Sequence, residues 1–194
     1  MVKLIGNDKL KTAIFISGRG SNLKSLYKFS KKKLSPIYID LVISDNRIAK
    51  GLLFAKKHKI KTSTVNYTNK NNAERKIKIL IKENNIKLIC LAGFMKILSK
   101  KFIRSFKGNI LNIHPSLLPK YKGLNTHKRV INSREKYSGC TVHFVTNKLD
   151  SGKIVLQRKI KVSRNDNEQK LSNKILKIEH KLYPAALKKL FSSC

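Results

Sequence analysis

Negative charge is what this sequence has least of. Ten Asp and Glu stand against 44 Lys and Arg in 194 residues, a formal net charge of +34. That shortage excludes a carboxylate-rich metal site, which needs several acidic side chains in one place. Trp is absent and aromatic residues make up 7% of the chain, so there is little material for base-stacking platforms. The three cysteines, Cys90, Cys140 and Cys194, are far apart and form no CxxC pair. Neither a zinc ribbon nor a disulfide scaffold is indicated. No apolar run approaches the roughly 18 residues of a membrane span. The N-terminus also lacks the apolar core and cleavage site of a secretory signal. A cytoplasmic chain with no membrane partner is expected.

The excess of positive charge normally points to nucleic acid, an acidic surface or an anionic substrate. Here the basic residues are mostly Lys, scattered along the chain among abundant Ile and Asn. Runs such as Lys31-Lys32-Lys33 and Lys56-Lys57 are short and form no helical stripe. Biased composition therefore explains the charge better than a nucleic-acid partner does. With 41% hydrophobic residues, the chain can fill a core, and a length of 194 fits one domain spanning 1–194.

Short apolar runs alternate with helical patterns. Strands are expected at 13–16, 37–43, 87–92, 110–114, 141–145 and 154–157, and helices at 23–29, 49–58 and 73–83. A last helix, 167–190, carries Leu171, Ile175, Ile178, Leu182 and Leu187 near a 3.6-residue period, and Pro184 is expected to kink or interrupt it. Such alternation indicates an α/β fold: a Rossmann-like N-terminal half and one mixed, mostly parallel central sheet flanked by helices.

Three stretches carry chemistry. In Ile16-Ser17-Gly18-Arg19-Gly20-Ser21-Asn22-Leu23 a buried strand runs into a glycine loop that opens a helix, which puts free N–H groups and a positive dipole end where a phosphate can sit. The loop is neither GxGxxG nor a Walker motif, and its chemistry alone fits a capped turn equally well. In Asn112-Ile113-His114-Pro115 the amide and the imidazole share one strand face, a sensible pair for a developing oxyanion and its proton. A core histidine bonded to backbone carbonyls is the bland alternative. Asp150, in Leu149-Asp150-Ser151-Gly152, is a turn former that can also raise the pKa of a nearby imidazole; spacing alone does not show that it meets His114. Five His residues include no HxxxH pair, no GxSxG elbow occurs, and Cys90 reads as an inert core thiol. No metal site is expected.

Taken in order, the loop at 16–23, Leu91-Ala92-Gly93-Phe94-Met95-x-Ile97-Leu98-Ser99, Asn112-Ile113-His114-Pro115-Ser116-Leu117-Leu118-Pro119-x-Tyr121-x-Gly123, Thr141-Val142-His143-Phe144-Val145 and Leu149-Asp150-x-Gly152 resemble the phosphoribosylglycinamide formyltransferases, folate-dependent enzymes of purine synthesis. The resemblance covers essentially the whole chain. It implies the formyltransferase fold and transfer of a formyl group from 10-formyltetrahydrofolate to the amine of 5-phosphoribosylglycinamide (GAR), with no metal. It assigns Gly20, Ser21 and Asn22 to the substrate phosphate, and Glu179 to the phosphate and ribose. Met95, Lys96, Ile97 and Leu98 would line the pterin pocket, partly through backbone groups, with Asn112 beside them. Asn112 and a protonated His114 would stabilise the oxyanion after direct attack by the amine. Asp150 would keep His114 charged and help remove the amine proton through water. Lys70 would meet the folate glutamate tail.

This chain departs from the family pattern at Lys96, where Arg is usual, and at Asn125, where His is frequent; Arg19 adds charge to the phosphate loop. Methionyl-tRNA formyltransferases and formyltetrahydrofolate hydrolases share the Asn-x-His and Asp chemistry but carry an additional domain, which 194 residues are not expected to hold. The distant alternative is an RNA-binding protein driven by charge. The expected partners are the two small substrates, with the chain a monomer or homodimer.

Overall fold

The computed structural model describes residues 9–191; Cys194 lies outside them. Seven strands form one sheet: β1 (Leu10–Ile16), β2 (Ile37–Ser44), β3 (Lys61–Thr64), β4 (Leu88–Leu91), β5 (Asn109–His114), β6 (Tyr137–Phe144) and β7 (Ile154–Lys161). Their spatial order is β3-β2-β1-β4-β5-β6-β7. The first five are parallel, β6 runs antiparallel to β5, and β7 antiparallel to β6. The expected mixed, mostly parallel sheet is therefore present. From β1 the chain steps outward through β2 and β3, then crosses back to build β4 and β5 on the other side. That reversal opens a crevice at the carboxyl ends of β1 and β4, the usual place for a ligand in such sheets.

Helices cover both faces: α1 (Ser21–Ser30), α2 (Lys50–Lys57), α3 (Lys70–Glu83), α4 (Lys100–Ser105), α5 (Thr126–Asn132) and α6 (Glu168–Phe191). Strand alternation divides the core. Ile14 and Ile16 pack with Leu23 and Leu26 of α1, Leu52 of α2, and Leu171, Ile175 and Leu187 of α6. Ala13 and Phe15 pack the opposite way, with Ile77 and Ile81 of α3 and Phe102 of α4. Burial on both faces is why β1 and β2 read as continuous apolar runs rather than as an alternation.

The differences from the sequence reading have local causes. Strand β3, with the sequence KTST, is a half-exposed edge with no apolar run to announce it. Helices α4 and α5 have six and seven residues, too few to show a period. Strands β6 and β7 extend further than expected, to Tyr137 and Lys161, because these ends pair with each other and Tyr137 lies opposite Lys161. Helix α6 runs through Pro184 without interruption. A proline lacks the N–H that would bond the carbonyl four residues earlier, and that carbonyl, on His180, instead accepts the Ser25 hydroxyl of α1 at 2.6 Å.

Candidate active site

Two groups of polar residues gather at the carboxyl ends of the parallel strands. The first is the turn from β1 into α1. Gly20 has φ +71°, a left-handed conformation that disfavours side chains, and a Cβ there would lie 2.8 Å from the Gly51 Cα. The Gly51 N–H donates to the Gly18 carbonyl at 3.1 Å, so the start of α2 braces the loop. Helix α1 has neither a side-chain cap nor an acidic residue in its first turn, which leaves its N-terminal N–H groups and dipole unopposed. Buried Asn22 donates through Nδ2 to Glu179 Oε2 of α6 at 2.8 Å. Its own Oδ1 is buried and without a partner among the described residues. Burial pushes the Glu179 carboxyl up to about 7, against the downward pull of the Asn22 bond. Glu179, 157 residues from Asn22 in sequence, thus adjoins the Gly20-Ser21-Asn22 turn.

The second group lies in a cleft of about 500 Å³. Ile110 on β5 is covered by the helices of its face, whereas Asn112 and His114, next along the same side, line the cleft. Across the antiparallel pair, His143 is in register with Asn112, and the loop after β6 lays Asp150 against all three. Asp150 Oδ2 is 3.3 Å from His114 Nδ1, and Oδ1 is 3.6 Å from His143 Nε2 and 3.5 Å from Asn112 Nδ2. Asn112 Nδ2 is also 3.3 Å from His143 Nε2. Asp150 itself has φ +44°, a strained conformation for a non-glycine residue, and the Gly123 N–H donates to its Oδ2 at 2.9 Å. Gly152 is fixed by the same packing, because a Cβ there would fall 1.8 Å from the Phe144 carbonyl.

Carbonyl contacts set the imidazole protons. His114 Nε2 is 2.9 Å from the Tyr121 carbonyl, which can only accept, so Nε2 bears hydrogen. Nδ1 then attracts Asp150 fully only when it is protonated as well. Burial is the largest influence on His114 and leaves its pKa below the ordinary 6.5, although the Tyr121 carbonyl and Asp150 push it upward. In the ligand-free cleft desolvation thus exceeds the upward pull of the carboxylate on the imidazole. For Asp150 the balance tips the other way: burial raises its pKa, but contacts to His143, the Gly123 N–H and His114 together bring it below the usual carboxylate value. His143 Nδ1 lies 2.9 Å from the Phe144 carbonyl, and its Nε2 faces both Asn112 Nδ2 and Asp150 Oδ1.

Met95, Lys96, Ile97 and Leu98 line the same cleft as Asn112, His114 and Asp150. Leu98 is buried, while Met95 and Ile97 are exposed alongside Leu124 and Leu149, giving the mouth an apolar rim. Lys70, the first residue of α3, is exposed and does not line this cleft. Asn125 and His127 do line it. His143 was not singled out from the sequence; its signal is the strand register opposite Asn112, which only the pairing reveals.

The sequence profile of the family described as formyl transferase matches residues 10–187. The phosphoribosylglycinamide formyltransferase of Haemophilus influenzae is 39% identical over 181 residues, covering 92% of this chain and 85% of that protein. The human trifunctional purine biosynthetic protein adenosine-3 is 41% identical over 182 residues. That match covers 92% of this chain but 18% of the human protein, so the chain spans about a fifth of the trifunctional relatives' length. Among solved structures, phosphoribosylglycinamide formyltransferase from Brucella melitensis superposes with a TM-score of 0.90 at 39% identity, covering 96% of this chain and 98% of that one. Sequence and fold thus agree, and this chain belongs to the formyl transferase family, with phosphoribosylglycinamide formyltransferases among its relatives.

Proposed function

We propose that this chain transfers the formyl group of 10-formyltetrahydrofolate to the amine of GAR in purine synthesis, in the cytoplasm, as one domain in a monomer or homodimer. The observation that carries the reading is the meeting of Asp150 with Asn112, His114 and His143 in an apolar-rimmed cleft, near a helix N-terminus built like a phosphate cradle. Family membership implies a folate co-substrate.

The reaction needs an oxyanion site and two proton movements. The glycinamide nitrogen attacks the formyl carbon; a C–N bond forms and the formyl oxygen becomes anionic. Asn112 has two amide hydrogens. One is directed by His143 and Asp150, and the other is left for the oxyanion, a preorganised donor of the kind that lowers such barriers. His114 is the second donor. Its imidazole is poised rather than permanently charged: burial disfavours the cation, and the negative charge that develops beside it restores that form. The attacking nitrogen passes a proton through water to Asp150. The oxyanion then re-forms the carbonyl of the new amide as the bond from the formyl carbon to the folate N10 breaks, and N10 takes up the proton held by the His114–Asp150 pair.

The Ser21-Asn22 turn serves the substrate phosphate, and Glu179 its ribose side. Met95 to Leu98, with the apolar rim, face the folate, and Lys70 is assigned to its glutamate tail. The test is a spectrophotometric assay with GAR and 10-formyltetrahydrofolate, with methionyl-tRNA as competing acceptor. Turnover of GAR alone supports the reading, and turnover of the tRNA alone overturns it. Replacing both Ser21 and Asn22 by Ala is expected to raise KM for GAR by about 10–100-fold, on the scale of one or two lost charge-assisted hydrogen bonds. Steady-state kinetics with GAR as the varied substrate check this; an unchanged KM refutes the phosphate assignment.

A further inference from the structure

Ser17 stands outside both groups yet touches the supports of each. It directly precedes Gly18, whose carbonyl is bonded to Gly51, so it begins the phosphate turn. Its backbone N–H donates to the Gly93 carbonyl at 3.0 Å, and its carbonyl accepts Asn46 Nδ2 at 3.3 Å. The Ser17 hydroxyl accepts the Met95 N–H at 2.8 Å and donates to Asp45 Oδ1 at 2.5 Å. The other oxygen of Asp45 lies 3.7 Å from Lys96 Nζ, and the Asp45 side chain is 9% exposed. A carboxylate this shielded requires partners, and it finds them in the one hydroxyl and the one ammonium that also fix the 93–98 segment. Phe94 is held from behind as well, with its ring edge-on to Phe15 at 5.4 Å and to Tyr67 at 5.6 Å between centroids. The Phe94 ring, the Met95 N–H and the Lys96 ammonium are thus each held by neighbouring side chains, and Met95 and Ile97 present their apolar side chains at the mouth of the cleft.

We propose that Ser17 and Asp45 are positioning residues for the formyl donor: they hold the 93–98 segment in the conformation that receives the folate and tie it to the base of the phosphate turn. Lys96 takes part by pairing with Asp45 behind the segment. The Met95 N–H is spoken for by Ser17, so the backbone of this segment meets the folate through its other groups. The inference rests on the reading of the cleft as the folate site.

The experiment is steady-state kinetics of the full chain with each substrate varied in turn. Ser17→Ala is expected to raise KM for 10-formyltetrahydrofolate about tenfold, the scale of one buried hydrogen bond left half-made. KM for GAR and kcat at saturating donor should stay within about twofold, since the reacting atoms are untouched. Ser17→Thr keeps the hydroxyl and is expected to bring the donor KM back toward the wild-type value. A donor KM unchanged in Ser17→Ala overturns the proposal, as does a general loss of kcat that Thr does not repair. Should Ser17→Ala fail to fold, Asp45→Asn decides in its place, because it keeps the acceptor for Ser17 and frees Lys96. A rise of about threefold in donor KM, the scale of a partly exposed ion pair, then supports the proposal, and no change overturns it. If the wild-type chain does not turn over GAR with this donor, the reading of the site fails; if only the variants behave like wild type, the positioning role fails alone.

Discussion

His114→Ala is expected to lower kcat for formyl transfer by about 10²–10⁴-fold, the range for losing a general acid and an oxyanion donor together. Folding should suffer much less, because the side chain faces a cleft rather than the packed core. Thermal melts of both proteins, run alongside the kinetics, separate the two effects; turnover near the wild-type rate would sink the assignment. Asp150→Asn is the sharper companion. It keeps the shape and can still accept the Gly123 N–H, but removes the carboxylate that pushes the His114 pKa upward. Burial then acts with less opposition, so the His114 pKa falls further and the alkaline limb of the pH–rate profile moves to lower pH. A limb that stays in place while kcat drops would mean that Asp150 acts on the amine proton alone.

The second large effect belongs to Glu179, and here pH decides the sign. Its carboxyl titrates at about 7 in the folded protein against an ordinary 4.5. Below the ordinary value both folded and unfolded chains are protonated and the folded state keeps its full stability. As pH rises through this window the unfolded chain gives up its proton first, so stability falls until the folded pKa is passed. Above that point the folded chain carries a buried charge, at a total cost of about 3 kcal/mol. Glu179→Gln removes the cost. It also offers an N–H to the Asn22 Oδ1 that has no partner among the described residues, while its oxygen keeps the bond from Asn22 Nδ2. The variant is expected to melt about 6–12 °C above wild type at pH 8, taking 2–4 °C per kcal/mol for a chain of this size. At pH 4 the two should nearly coincide. An equal shift at both pH values would show that packing, not ionisation, is responsible. In kinetics the same substitution should raise KM for GAR, since the proposed ribose contact loses its charge.

These two residues show how unevenly the site can be read from sequence. The Asn112 and His114 pair is visible because two residues apart on a strand means one face, a rule that holds wherever a strand forms. The parallel core strands are equally visible, because burial on both faces leaves an apolar run. The neighbourhood of Asp150 is not, since it depends on where a nine-residue loop returns after an antiparallel strand. His143 becomes meaningful only through its register with Asn112. The protonation of His114 is a balance of burial against charge, and neither appears in a motif. Pro184 marks the limit of local rules: the proline argues for a break, and a hydroxyl more than 150 residues away in the chain removes the reason for one. The edge strand β3 fails for the opposite reason, having too little apolar character to be recognised.

The scarcity of acidic side chains acquires a different meaning once the interior is known. Six of the ten lie inside: Asp40, Asp45, Asp150 and Asp166 have side chains at most 10% exposed, and Glu74 and Glu179 are buried as well. The carboxylates that remain are largely those with structural or chemical work to do, and few are left at the surface to pair with lysines. The exterior therefore behaves as a polycation whose natural counterions are dissolved. Added salt relieves its self-repulsion, whereas a surface knitted together by ion pairs would loosen. The same screening weakens the long-range attraction that draws two anionic substrates toward the cleft. Ionic strength thus sets a trade between how firmly this protein holds its shape and how often its substrates arrive.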